Sequence, residues 1–327
     1  MMKQINIKAM RDVFIEELCS RMEEDRSIFF VCADFGSPKL DRLRSLFKDR
    51  FINVGIAEQN LINVSTGLAL EGFNVYAYAI APFLTMRAYE QIRIDLSLQA
   101  QLKEINVNLV GVGAGLSYDV SGPTHHCLED IAIMRVLPNI EVFSPSDWVL
   151  AKKFVDYSIK VKKPKYLRFD GKPLAPIYIN SEDVKIENQF SKLRRGEKIC
   201  LVSTGFMTHR ALCVCDRLKQ ENISIGVVDV FLLKPLNEDT LFNVLKDYQY
   251  IITLEEGFLY KGGLGSMVSE MLTNRNSQVR LKTMGFSDTY VFEIGNRAYL
   301  HKLNNIDEES IILNIKKILS GTECLKK

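Results

Sequence analysis

The amino-acid sequence predicts an α/β protein of two domains, each a mainly parallel sheet flanked by helices. Short, solid apolar runs are the first sign: residues 28–33 read Ile-Phe-Phe-Val-Cys-Ala, a pattern that suits a strand buried on both faces of a parallel sheet. The second sign is that such runs alternate with segments of helical period. The third is a restart: a polar stretch near residues 180–195 is followed at 198–205 by a new strand and turn. The predicted division is a first domain over 1–182, a linker over 183–195 and a second domain over 196–327.

Taken in order, residues 10–23 place Val13, Ile15, Leu18 and Met22 close to one helical face. The strand at 28–33 ends in Asp34-Phe35-Gly36-Ser37-Pro38. That break puts Asp34 and Ser37 on a loop at the strand's C-terminal edge, where ligands of open α/β sheets gather. Next comes Asn53-Val54-Gly55-Ile56-Ala57-Glu58-Gln59-Asn60, with Glu58 between apolar residues at the start of a helical run over 60–70. Its carboxylate is expected to be partly desolvated and able to share a proton with a nitrogen base. The plain alternative is a first-turn Glu favoured by the helix dipole.

Residues 74–80 read as the next strand, 87–91 as helix and 107–112 as another strand. A loop with three glycines and a proline follows, carrying His125 and His126, two of the four histidines. A histidine pair can hold a metal, but no spaced third ligand accompanies this one. A helix over 128–137 stops at Pro138, a strand follows at 140–143, and Ser144-Pro145-Ser146-Asp147 caps a helix over 148–158. Residues 164–168, 225–231 and 250–254 are further strands. Lys261-Gly262-Gly263-Leu264-Gly265 is a glycine loop of a kind that can cradle phosphate at a helix start.

With 47 % apolar and 25 % charged residues the composition is that of an ordinary globular protein, and 327 residues suffice for two full cores. Forty-two basic against 40 acidic side chains give a net charge of +2, too little for a nucleic-acid field. No apolar run approaches the roughly 18 residues of a membrane span, and the first nine residues lack a signal-peptide core. Seven scattered cysteines without a CxxC pair fit reduced thiols, so a cytoplasmic location is expected; Cys213 and Cys215 read as core.

Val54-Gly55-Ile56-Ala57-Glu58-Gln59-Asn60 resembles the pyrimidine-domain signature of the transketolase family of thiamine-diphosphate enzymes. The resemblance implies that Glu58 hydrogen-bonds the aminopyrimidine ring and favours its imino tautomer, with Ile56 a neighbouring cofactor contact. It extends to Arg87-Ala88-Tyr89-Glu90-Gln91, and implies an aromatic ring upstream that stacks on the pyrimidine. Leu84 falls at that position by ungapped counting, with Phe83 beside it; Phe83 is the candidate, and a plain core aromatic is its other reading. Gly122-Pro123-Thr124-His125 resembles the family's second signature. It implies that His125 binds the donor sugar's hydroxyl and the forming oxyanion. Arg11, Asp34, Ser37, Ser121, His126 and Arg168 are the corresponding substrate-binding candidates, Arg11 through a substrate phosphate. Beyond residue 198 the chain is similar to the family's C-terminal domain.

The resemblance covers the family's pyrimidine and C-terminal domains only. No Gly-Asp-Gly occurs, and Asn304-Asn305 stands without an acidic loop before it. A split enzyme is therefore expected, with thiamine diphosphate shared with an N-terminal-section subunit that binds the diphosphate through Mg2+ (or Ca2+). Self-association into a heterotetramer, small sugar substrates, and neither nucleic acid nor membrane as partner complete the expectation. Ser121 stands where the family has an acidic residue, Gly113 where it has an upstream His, and Gly171 where it has a second Arg. These departures point to ketol transfer onto an unusual aldehyde acceptor. A deoxyxylulose-phosphate-synthase-like enzyme, a 2-oxo-acid dehydrogenase beta subunit and a regulatory or scaffold subunit are the alternatives.

Overall fold

The computed structural model describes residues 6–179 and 184–322. Two sheets organise them. The first half supplies α1 (Met10–Glu24), β1 (Ile28–Cys32), α2 (Leu40–Leu46), β2 (Phe51–Asn53), α3 (Glu58–Leu70) and β3 (Asn74–Ile80). It continues with α4 (Tyr89–Gln91), β4 (Asn106–Val112), α5 (Asp130–Val136), β5 (Glu141–Phe143), α6 (Trp148–Lys160) and β6 (Lys165–Phe169). The second half contains β7 (Phe190–Arg194), β8 (Ile199–Ser203), α7 (Met207–Lys219), β9 (Ile225–Val230), β10 (Leu232–Lys234) and α8 (Glu238–Leu245). Last come β11 (Tyr250–Phe258), α9 (Leu264–Asn274), β12 (Arg280–Phe286), α10 (Arg297–Leu303) and α11 (Glu308–Leu319).

The seven-stranded sheet has the order β10-β5-β6-β4-β3-β1-β2, and the five-stranded sheet β12-β11-β8-β9-β7. Every pairing is parallel except β10 with β5 and β7 with β9. Registers such as Val31↔Ala77, Ala77↔Leu109 and Leu109↔Tyr166 run across the middle of the first sheet. β3 and β4 are buried almost throughout, as strands covered by helices on both faces must be. Because the strands are parallel, the ends of β1, β2, β3, β4 and β6 share one edge, and the loops that follow them converge there. This is the α/β architecture that the apolar runs and helical periods predict.

Three differences have physical causes. The stretch expected as linker contains β7, an edge strand whose burial alternates because only one face meets the core. The linker's start at 183 lies outside the described residues. β10, only three residues long, leaves the second half to close the edge of the first sheet against β5. The helix expected over 87–91 is a single α turn, α4, between wide π-type turns at Phe83–Arg87 and Ile92–Leu98. Such turns recur at functional sites, where they re-aim side chains.

Buried polar contacts join the two halves. Asp229 of β9 is fully buried and accepts hydrogen bonds from Tyr178 (2.8 Å), Thr208 (2.8 Å) and Ser146 hydroxyls. Burial, only partly offset by these donors, pushes its carboxyl up to about 7. Asp147 caps α6 by accepting from Leu150 N–H and also accepts from Ile177 and Tyr178 N–H. At the glycine loop before α9, Glu255 is buried and accepts from the N–H groups of Leu264 (2.8 Å) and Gly265 (2.7 Å). A carboxylate of the chain itself thus answers the helix N-terminus. The six described cysteines are free and five of them are buried; Cys324 lies outside the described residues.

Candidate active site

Glu58 opens α3 after a turn held by a single asparagine and a glycine. Gly55 has φ +75°, a conformation that favours glycine. Asn53 Oδ1 accepts from Gly55 N–H (3.0 Å) and from Asp34 N–H (3.1 Å), and Asn53 Nδ2 donates to Asp34 Oδ1 (2.9 Å). One side chain therefore ties the loop after β1 to the turn that delivers Glu58. Asp34 itself sits at φ +51°, held by these bonds. Ile56, on the tip of the turn, is 74 % exposed, an apolar side chain left uncovered beside the carboxylate.

Glu58 is 4 % exposed, and its Oε2 is buried without a hydrogen bond. The nearest cation is Arg87, whose Nε lies 3.6 Å away on a side chain 62 % exposed. Arg87 ends the π-type turn that begins with Phe83. At the other end of that turn the Phe83 ring meets the His125 ring edge-on, with centroids 5.2 Å apart. A five-residue turn thus touches Glu58 with its last residue and His125 with its first. Leu84, the alternative to Phe83, is wholly buried in the core and offers no face to a ligand.

His125 follows a tight turn in which its N–H donates to the Gly122 carbonyl, with Gly122 at φ +78°. Its Nδ1 lies 3.1 Å from Thr124 Oγ1. The loop before it is held from below. Gly115 and Cys127 pair as an isolated bridge. Asp119 accepts from the N–H of Val120 (2.9 Å) and of Arg297 (2.6 Å), and from the Lys172 ammonium. Burial would raise the Asp119 carboxyl, but these donors outweigh it and keep it below the usual carboxylate range.

Beneath this loop lies a buried charge cluster built from both halves. Arg297 of α10 stacks over the Phe206 ring at 4.0 Å and pairs with Asp170 at 2.7 Å. Its Nε lies 3.1 Å from Glu256 Oε1, which His301 Nε2 approaches to 2.7 Å. Burial alone would raise the Glu256 carboxyl; Arg297 and His301, with Arg168, hold it down at about 2.

The remaining candidates separate into two groups. Arg11, Asp34 and Ser37 lie along the sheet edge: Ser37 Oγ donates to Asp12 (2.8 Å), and Arg11 lies between Asp12 (3.3 Å) and the Phe35 ring (5.7 Å). Ser121 is exposed on the loop. Arg168 and His126 are both buried. Arg168 is 3 % exposed: its Nε donates to Asp130 (2.7 Å) and its Nη2 to the Cys127 (3.3 Å) and Glu256 (3.0 Å) carbonyls, so its donors are consumed inside. His126 is buried with Nε2 near the Asp119 carbonyl, and burial pushes its imidazole below the ordinary value. Asn53, Arg87, Asp119 and Arg297 were not among the candidates. Only Arg87 had a sequence signal, its place in the Arg-Ala-Tyr-Glu-Gln run.

Among the described residues no cluster of His, Cys, Asp or Glu could hold a metal, and no helix is long and apolar enough to cross a membrane.

Comparison with known proteins agrees with this geometry. Residues 7–175 match the transketolase pyrimidine-binding domain and residues 188–311 the transketolase C-terminal domain. The chain is 34 % identical to one of the subunits of the apulose-4-phosphate transketolase of Actinobacillus succinogenes, over 94 % of this chain and 97 % of that one. It is 31 % identical to rat transketolase, over 87 % of this chain and 45 % of the rat protein. A solved split-gene transketolase, an inactive β4 tetramer, superposes with a TM-score of 0.84 at 30 % identity, over 98 % of this chain and 99 % of that one. The chain belongs to the transketolase family, the thiamine-diphosphate-dependent transferases. Within it, the chain is a transketolase-like subunit of a split enzyme.

Proposed function

We propose that this chain supplies the pyrimidine half of a thiamine-diphosphate site that a partner subunit completes, and that the assembled enzyme moves a two-carbon ketol unit onto an aldehyde sugar. The observation that carries this is the Phe83–Arg87 turn, which meets Glu58 at one end and His125 at the other. The residues present fit the cofactor. Glu58 Oε2 is a buried acceptor with no hydrogen-bond donor among the described residues, and a protonated ring nitrogen would satisfy it. When bound, thiamine diphosphate supplies the carbon that stabilises the transferred carbanion.

The chain's own residues then have separate tasks. Glu58 holds a proton against the pyrimidine nitrogen, and its burial keeps water from competing for that bond. Phe83 and the exposed Ile56 present apolar surface to the ring. His125, anchored by its turn, offers a ring nitrogen to the donor hydroxyl and to negative charge developing on oxygen. Arg11, Asp34, Ser37 and Ser121 lie on the edge where the sugar passes.

The diphosphate and its Mg2+ (or Ca2+) belong to the partner, an N-terminal-section subunit, in a cytoplasmic heterotetramer. Two domains, the second with its sheet starting at β7, suit that assembly. The solved relative described as an inactive β4 tetramer supports a need for the second chain. The relative named for apulose-4-phosphate supports a sugar phosphate substrate outside the usual set. The test is calorimetry of thiamine diphosphate with magnesium on this chain, on the candidate partner and on the co-expressed pair. Binding by the pair alone is expected; tight binding by this chain alone sinks the shared site.

A further inference from the structure

Tyr118 stands on the loop that ends in His125, and its ring lies on a floor of two glycines. A Cβ built at Gly113 would run into the ring, and one at Gly171 would lie 2.9 Å from its other edge and 3.3 Å from Ser117 Oγ. Gly113 has φ +108°, so its backbone, too, favours glycine. The Tyr118 ring therefore takes up the volume that side chains at both positions would use. Its hydroxyl is buried without a hydrogen-bond partner, as is Ser117 Oγ. Leaving such a group unpaired is costly, so a folded protein seldom keeps one without a use for it.

The surroundings are those of the sugar edge. Burial raises the Tyr118 phenol while the Arg11 charge, close by, lowers it. Tyr78 of β3 also lies beside Arg11 and stacks on Phe35 with ring centroids 5.0 Å apart. Tyr118 thus connects the His125 loop to the wall formed by Arg11, Phe35 and Tyr78.

We propose that Tyr118 determines acceptor length: its ring shortens the channel over Gly113 and Gly171, and its hydroxyl pairs with a hydroxyl of the bound sugar. This rests on the ketol-transfer reading above. The enzyme then prefers a three-carbon aldehyde phosphate to a five-carbon one.

The experiment measures kcat/KM on the reconstituted complex with glyceraldehyde 3-phosphate and ribose 5-phosphate, which share the phosphate and differ by two carbons. Donor cleavage without acceptor is followed in parallel. Tyr118→Ala is expected to shift the ratio toward ribose 5-phosphate by about tenfold or more, the scale at which one pocket's shape discriminates. Tyr118→Phe keeps the ring and so keeps the ratio, while losing about tenfold with both acceptors. Tyr118→Leu makes the same comparison should the Ala chain fail to assemble. An unchanged ratio in the Ala or Leu enzyme, with donor cleavage intact, overturns the proposal. Failure of donor cleavage in the unmodified complex instead overturns the reading on which it rests.

Discussion

Glu58 and Glu256 are both carboxylates near the ends of parallel strands, both nearly sealed from water, and they are used in opposite ways. Glu256 is surrounded: Arg297 and His301 reach its Oε1, and Arg168 donates to its backbone carbonyl. Glu58 has an oxygen with no donor and one distant, largely exposed arginine. A buried carboxylate fully matched by cations holds a fold together; one left unmatched is available to a ligand. The difference separates a carboxylate that the fold itself satisfies from one that it leaves open.

Substitution at the two glutamates breaks or confirms that contrast. Glu58→Gln should lower turnover of the reconstituted enzyme by roughly 10²–10⁴-fold, the range for a lost acid–base group. Its unfolding midpoint in urea should stay close to that of the parent, because the cation that loses its partner, Arg87, is largely exposed. A full loss of folding in that variant would show that Glu58 is structural after all. Glu256→Gln should do the reverse and destabilise the chain by about 3–5 kcal/mol, by breaking a buried pair that Arg297 and His301 both approach. Urea unfolding of the two variants side by side is the direct comparison.

Stability against pH sharpens it further. The Glu256 carboxyl falls from 4.5 to about 2 on folding, so the stability it contributes is present above its unfolded value and drains away as pH falls from about 4.5 toward 2. Asp229 goes the other way, from 3.8 to about 7, so its contribution is present in acid and is lost as pH rises through 7. Unfolding measured from about pH 3 to about pH 8 should therefore show a broad maximum. Asp229→Asn should flatten its alkaline side, and a profile unaltered by that substitution would remove Asp229 from the account. The smallest effect is expected for Arg87→Met. A largely exposed cation 3.6 Å from Glu58 should change stability by less than about 1 kcal/mol. A larger loss would mean that Glu58 is better paired than its geometry shows.

How much of this was legible depended on whether a residue's role is local. β1, β3 and β4 announce themselves as unbroken apolar runs, and Glu58 and His125 sit in short phrases of a familiar family. Phe83 against Leu84 was a matter of one residue, and the two differ in burial: Leu84 is wholly buried while Phe83 is half-buried. β7 and β10 were not legible: an edge strand needs only one apolar face, and three residues carry no period. Arg168 escapes a sequence reading for a related reason. Its position at a strand end matches a substrate cation, while the residues that neutralise it, Asp130 and the Cys127 and Glu256 carbonyls, come from elsewhere in the chain. Tyr118 and Arg297 become informative only once tertiary contacts put them beside Gly113 and beneath the His125 loop.

The three residues of β10 have a consequence for how this protein can be cut or recombined. They leave the second half to cover β5, which a chain ending between the halves would present as a bare strand edge. Open edges recruit other strands, so the isolated first half should precipitate or pair with itself rather than behave as a module. A ribosome must also reach residue 234 before the first sheet can be finished, so the early half waits on the late one. Gene fusions and chimaeras that swap the halves between relatives will therefore succeed only where the donor of the second half brings a matching edge strand with it.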